Sequence, residues 1–214
     1  MCIISHCNIN SIQENEIEQY LKLLPPFMAP EIKKYQFAAD RKSRLLGRLM
    51  LLKYLRDGNS AFLIDNWKCD GNNKPYLDGW KHFNISHSGD IVVFCFSDGE
   101  VGIDIEKKAS LDFSAFTSQF CLKEEDYILN SDNVMERFYE VWVKKEAVLK
   151  AEGVGIINGL NTINCLQNTV YFKGKTWYFT KLDLYSGYAS SLCAAQPNIQ
   201  IKIEPFNPRR MLLI

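Results

Sequence analysis

The sequence is without several features that would point elsewhere. Basic and acidic residues balance at 25 each in 214 residues, so no global field exists to hold nucleic acid or an anionic membrane. Any anion site has to be local. The seven cysteines are scattered with no C-x-x-C pair, which argues against zinc and against a disulfide scaffold, and all seven read as reduced structural thiols. No apolar run approaches the ~20 residues of a bilayer span. Met1 to Asn10 carry neither a basic leader nor a long apolar stretch, so a cytoplasmic protein without a membrane partner is expected. Gly174-Lys175-Thr176 lacks the upstream glycine of a P-loop and is no nucleotide cradle.

What remains is a globular composition, 47% hydrophobic and 23% charged, with enough chain for one body of one or two lobes. An amphipathic stretch, Ile12 to Leu24, ends at Pro25-Pro26. Leu45, Leu46, Leu49, Leu52 and Leu55 recur at helical spacing, which predicts a helix from Asp40, its N-cap, to Leu55. Turn residues around Lys74-Pro75 place that pair on a loop. Ile91 to Ser97 and Val101 to Glu106 read as a hairpin joined by Asp98-Gly99. Lys123 to Leu129 and Glu136 to Glu152 read as helices, the second stopped by Gly153. Three short strands follow in 169–195, then a loose tail from Lys202 to Ile214. The expected class is α+β.

Four segments could carry chemistry. In Gly102-Ile-Asp-Ile-Glu106, strand alternation puts Asp104 and Glu106 on one face, where two repelling carboxylates would be relieved by a hard cation. By itself the segment fits an edge strand with one wet face better. Trp142, Glu146 and Lys150 fall four apart on one helical stripe, which suits a base or metal ligand beside a cation for phosphate, or an ordinary surface ion pair. Glu140 and Lys144 have the same spacing and read only as such a pair.

Asn84 to Gly89 gathers serines around His87. Neighbours on an extended chain face opposite ways, so Ser86 or Ser88 with His87 makes a poor nucleophile and base. The imidazole and hydroxyls could instead hold phosphate oxygens. Arg41, Arg44 and Arg48 form a stripe that reads as a solvated helix face before an anion site.

In this order along the chain, Lys74-Pro75, Asn84 to Gly89, Gly102 to Lys107 and Trp142 to Lys150 resemble the surfactin-synthetase-activating (Sfp) type of 4′-phosphopantetheinyl transferase. The likeness extends from the Arg48 helix through Gly187-Tyr188 to Cys193-Ala194-Ala195. It implies a pseudo-two-fold pair of similar α+β lobes, 1–99 and 100–214, with coenzyme A in the cleft between them. By the same resemblance Asp104, Glu106 and Glu146 would hold Mg²⁺. Lys150, His87 and Lys74, beside Pro75, would contact phosphates of coenzyme A, and Arg48, Ser86 and Lys34, or its neighbour Lys33, would serve the 3′-phosphate.

The implied reaction is transfer of phosphopantetheine to a serine of an apo acyl or peptidyl carrier protein. Glu146 would act as base, and Lys150 would stabilise charge on the pyrophosphate. The nucleophile then belongs to the partner, which accounts for the absence of a triad. One chain holding both lobes would act as a monomer. The alternative is a non-catalytic module that grips coenzyme A or a carrier on the same fold.

Overall fold

Alternation of apolar residues with period two, and of leucines with period close to four, sorts the chain into strands and helices that stack in layers. The computed structural model describes residues 1–110, 112–155 and 160–213. The elements in order are β1 (Cys2–Asn8), α1 (Ile17–Leu21), α2 (Met28–Lys33), α3 (Ala38–Asp57), β2 (Trp67–Cys69), β3 (Pro75–Leu77), β4 (His82–Ser88), β5 (Ile91–Ser97) and β6 (Val101–Lys107), followed by α4 (Leu122–Leu129), α5 (Val134–Glu152), β7 (Thr169–Phe172), β8 (Lys175–Lys181), β9 (Tyr188–Ala194) and β10 (Ile201–Pro205). One four-stranded sheet has the order β10-β1-β5-β4 and the other β6-β9-β8-β7, while β2 and β3 form a separate ribbon. The class is α+β. No helix among the described residues is long and apolar enough to cross a membrane.

Each sheet has one face on a long helix and one face on the other sheet. Leu45, Leu49 and Leu52 of α3 share a core with Val92, Phe94 and Phe96 of β5. The intervening residues Ile91, Val93 and Cys95 turn the other way and pack with Val101, Ile103 and Ile105 of β6. β5 is therefore buried throughout. On the far face of β6 lies α5, and Gly102 permits its close approach: a Cβ there would stand 2.2 Å from Ala147 O and 2.4 Å from Ala151 N. Asp104 and Glu106, two and four residues on, share that face and so look at α5.

Four expectations are corrected. Residues 91–97 and 101–106 form no hairpin, because β4 and β1 occupy both edges of β5 and β6 pairs with β9. Asp98 to Glu100 instead carry the chain from one sheet to the other. Gly99 is absent from the left-handed residues, as a two-residue type I′ turn would not allow. That turn is found at Lys173-Gly174, both left-handed, between β7 and β8.

The second correction concerns the stretch 12–24, which breaks into a 3-10 turn, Glu14–Glu16, and the short α1. Thirdly, α3 starts two residues before Asp40, which lies in the first turn, where its charge suits the helix dipole. Finally, the tail is not loose: Ile201–Pro205 pairs in parallel with β1, and Phe206 and Met211 are buried in the first core. Ile214 lies outside the described residues.

Candidate active site

β4 and β6 are edge strands of different sheets, and side chains join them where backbone pairing is absent. The N–H groups of Ile103, Ile105 and Lys107 donate to Asn84 Oδ1 (3.0 Å), Ser86 Oγ (3.4 Å) and Ser88 Oγ (3.1 Å). The serines then reach across to the carboxylates: Ser86 Oγ donates to Asp104 Oδ1 at 2.9 Å and Ser88 Oγ to Glu106 Oε2 at 2.6 Å. The candidate chemistry sits on this seam.

From α5, Lys150 donates to Asp104 Oδ1 at 2.5 Å and to Ser86 Oγ at 2.9 Å. Asp104 is fully buried, so the wet-faced edge strand is excluded. Burial, followed by the Asp104 charge, raises the Glu106 carboxyl, against which hydrogen bonds from Ser88 and Trp142 pull down. Burial and the same neighbour push Glu146 up to about 7. Burial opposes the Lys150 ammonium, but the charge and hydrogen bond of Asp104 prevail and its pKa is raised.

Burial and like charges side by side both disfavour the ionised form of a carboxyl. Asp104 Oδ2 and Glu146 Oε1 are buried without a hydrogen-bond partner. No cluster of three or more His, Cys, Asp or Glu stands in metal-holding geometry among the described residues. The donor set of two orphaned carboxylate oxygens beside Glu106 nonetheless suits a hard, oxygen-seeking cation such as Mg²⁺.

A second cluster lies across β4. His87 faces away from its serine neighbours, into a cavity of about 520 Å³ that Lys34, Tyr35, Arg44, Arg48, Trp67 and Pro75 also line. The Arg44 guanidinium stacks 3.9 Å from the Tyr35 ring centroid, and Arg48 lies 5.0 Å from that of Trp67. Burial, with Arg44 adding to it, lowers the pKa of Arg48 and of His87. The Nε atoms of Arg44 and Arg48 are buried donors with no partner. Surplus positive charge and orphaned donors describe an anion pocket, so the stripe is no plain solvated face. Lys34 lines this pocket, paired at 2.5 Å with Glu31, which lines it too, whereas Lys33 pairs outside it with Glu18 at 2.8 Å.

Asn73, Pro75 and Ile85 also line a neighbouring cavity of about 200 Å³ that reaches Lys74 and Lys150. The two cavities share these walls and together line a groove from the arginines to Lys150, the lysine that donates to Asp104. Pro75 begins β3, and Lys74 just before it donates to Ala151 O at 2.5 Å, its pKa lowered by burial. Asp70 Oδ1 accepts from the N–H groups of Asn72 and Lys74 and holds their loop. Asn73 there has φ +64°, a left-handed conformation that asparagine tolerates.

Sequence reasoning missed several participants. Arg44 was visible in the stripe but carried no role. Tyr35 and Trp67 gave no signal, since their part depends on long-range packing. Glu140 and Lys144 do not pair as the spacing predicted: Glu140 takes Arg137 and Tyr127, and the buried Lys144 donates to Leu166 O and Gln167 O. All seven cysteines are free thiols, five of them buried, and Cys69 is exposed where it lines the arginine pocket.

Comparison with known proteins covers both halves. Residues 100–193 match the family described as the 4′-phosphopantetheinyl transferase superfamily, and residues 11–98 that described as 4′-phosphopantetheinyl transferase, N-terminal. The chain is 32% identical to the 4′-phosphopantetheinyl transferase gsp of Aneurinibacillus migulanus, over 75% of this chain and 72% of that one. It is 31% identical to a putative 4′-phosphopantetheinyl transferase of Haemophilus influenzae, over 77% and 78%. To the 4′-phosphopantetheinyl transferase Sfp of Bacillus subtilis it is 23% identical, over 87% and 89%.

Proposed function

The chain belongs to the 4′-phosphopantetheinyl transferase superfamily, and we propose that its groove binds coenzyme A and passes the phosphopantetheine arm to a serine of an apo carrier protein. The observation that carries this reading is the shared wall of the arginine pocket and the cavity that reaches Lys150, whose ammonium donates to Asp104. A ligand with a phosphorylated nucleoside at one end and a pyrophosphate further along fits such a groove.

The 3′-phosphate is received by Arg44, Arg48 and Lys34 with His87, all of which line the cavity. Lys150 and Lys74 attend the pyrophosphate, a task that suits lysine as a point charge. Mg²⁺ would be held by Asp104, Glu106 and Glu146 and would supply neutralisation of the pyrophosphate charge. The carrier serine oxygen bonds to the β-phosphorus while the bond from that phosphorus to the bridging oxygen breaks, and 3′,5′-ADP leaves. Glu146 takes the serine proton. Lys150 stabilises the departing charge.

A single chain supplies both ends of the groove, which supports action as a monomer. A cytoplasmic setting agrees with coenzyme A as substrate. Lobes 1–99 and 100–214 are supported by the change of sheet at Asp98 to Glu100, with β10 crossing back beside β1. The test is to mix the protein with coenzyme A, Mg²⁺ and several apo carrier proteins and weigh the carriers. A phosphopantetheine adduct is expected. Absence of an adduct on every carrier sinks the reading.

A further inference from the structure

An ion pair that takes no part in this chemistry stands one residue from Glu146. Glu124 of α4 and Lys145 of α5 are both fully buried, with Lys145 Nζ 2.7 Å from Glu124 Oε2. The same ammonium donates to Leu160 O at 2.9 Å and Ile163 O at 2.6 Å, so its three protons are all used. Glu124 accepts from Cys165 N (2.8 Å) and Cys121 N (3.0 Å) through its two oxygens. The pair ties together the start of α4, the segment 160–165 and the middle of α5.

Stability is a poor reason for such an arrangement, because apolar side chains of the same volume commonly stabilise a core as well or better. What directional bonds add is orientation. We propose that Glu124 and Lys145 are positioning residues for the transfer, fixing the roll of α5 about its axis and so the places of Glu146 and Lys150 over Asp104. This rests on the transferase reading above. Side-chain ends lie roughly 6 Å from a helix axis, so a roll of about 20° would carry the Glu146 carboxylate about 2 Å. A misplacement of ~1 Å at reacting groups can cost ~100-fold in rate. Gly102 sets how near α5 comes to β6, and Phe138, Val141 and Val148 seat the helix in its core through non-directional contacts. The ammonium and its three acceptors add directional restraints to that packing.

The experiment compares E124Q and E124Q/K145M with the unaltered chain. Both are expected to keep a cooperative thermal transition and to lose at least about tenfold in kcat. The KM for coenzyme A should stay within about threefold, as should coenzyme A binding measured by calorimetry without Mg²⁺, because the arginine pocket is untouched. Wild-type kcat in either folded variant overturns the proposal, as does a loss carried wholly by KM. Should neither variant fold, hydrogen exchange on the unaltered chain decides. The Cys121 and Cys165 amides are expected to exchange as slowly as the interior of α5, and exchange at the rate of an open loop overturns the proposal. If the unaltered protein modifies no carrier, the transferase reading fails, and the exchange measurement still judges the hub.

Discussion

Gly102 lies directly beneath Ala147, at a distance that leaves no room for a single methyl group. The contact presses the carboxylate face of β6 against the helix that carries Glu146 and Lys150. G102A is therefore expected to force the two apart. Overpacking of this kind costs about 1–3 kcal/mol, and transfer should fall out of proportion to the loss of stability. Thermal melting together with kcat measures both, and an unchanged kcat would contradict the placement of the site.

E146Q keeps the shape of the side chain and removes the proton acceptor. The expected loss in kcat is about 10²–10⁴-fold, the usual range for a general base. Coenzyme A affinity measured by calorimetry without Mg²⁺ should barely move. A variant that transfers at the normal rate would remove Glu146 from the mechanism.

The raised Glu146 pKa also sets a pH signature. Its unperturbed value is 4.5 and its folded value about 7, so between the two the native state holds a proton that the unfolded state has released. Stability from this group is complete below 4.5 and fades as pH climbs through 7. In metal-free protein, denaturant unfolding should show that decline, and E146Q should flatten it.

The arginine pocket predicts a different kinetic change. Loss of Arg48 as R48A removes a charge-assisted contact worth about 1.5–3 kcal/mol, so the KM for coenzyme A should rise roughly 10- to 100-fold with kcat within about threefold. Coenzyme A lacking its 3′-phosphate should feel the substitution far less. Equal penalties for the two substrates would move the phosphate elsewhere.

Asn84 is buried, and its Oδ1 is the acceptor for the equally buried Ile103 N–H. N84L would strand that donor, at a cost of about 1–3 kcal/mol. A shift in the denaturation midpoint is the readout, and an unaltered midpoint would show the seam to be unimportant.

How much of this could be read from the sequence depended on range. Helix α5 and its Gly153 stop were legible because capping and periodicity act within a few residues. The sharing of a face by Asp104 and Glu106, and by Glu146 and Lys150, was legible for the same reason. Which strands pair was not, since Asp98-Gly99 is turn chemistry whether the next strand folds back or changes sheet. The docking of β10 on β1, the stacking of Arg44 on Tyr35 and the Glu124–Lys145 hub join residues distant along the chain, and no local pattern announces them. Alternation did separate His87 from its serines, and the structure turns that separation into two ends of one groove.

An edge strand with unsatisfied amides invites a foreign strand to join it. At the seam that invitation is withdrawn, because Asn84, Ser86 and Ser88 have already answered the amides of Ile103, Ile105 and Lys107. In the two four-stranded sheets the edges still open are β7 and β10, each three places along its sheet from the seam. A partner that lends a strand to either of those sheets must therefore do so away from the carboxylates.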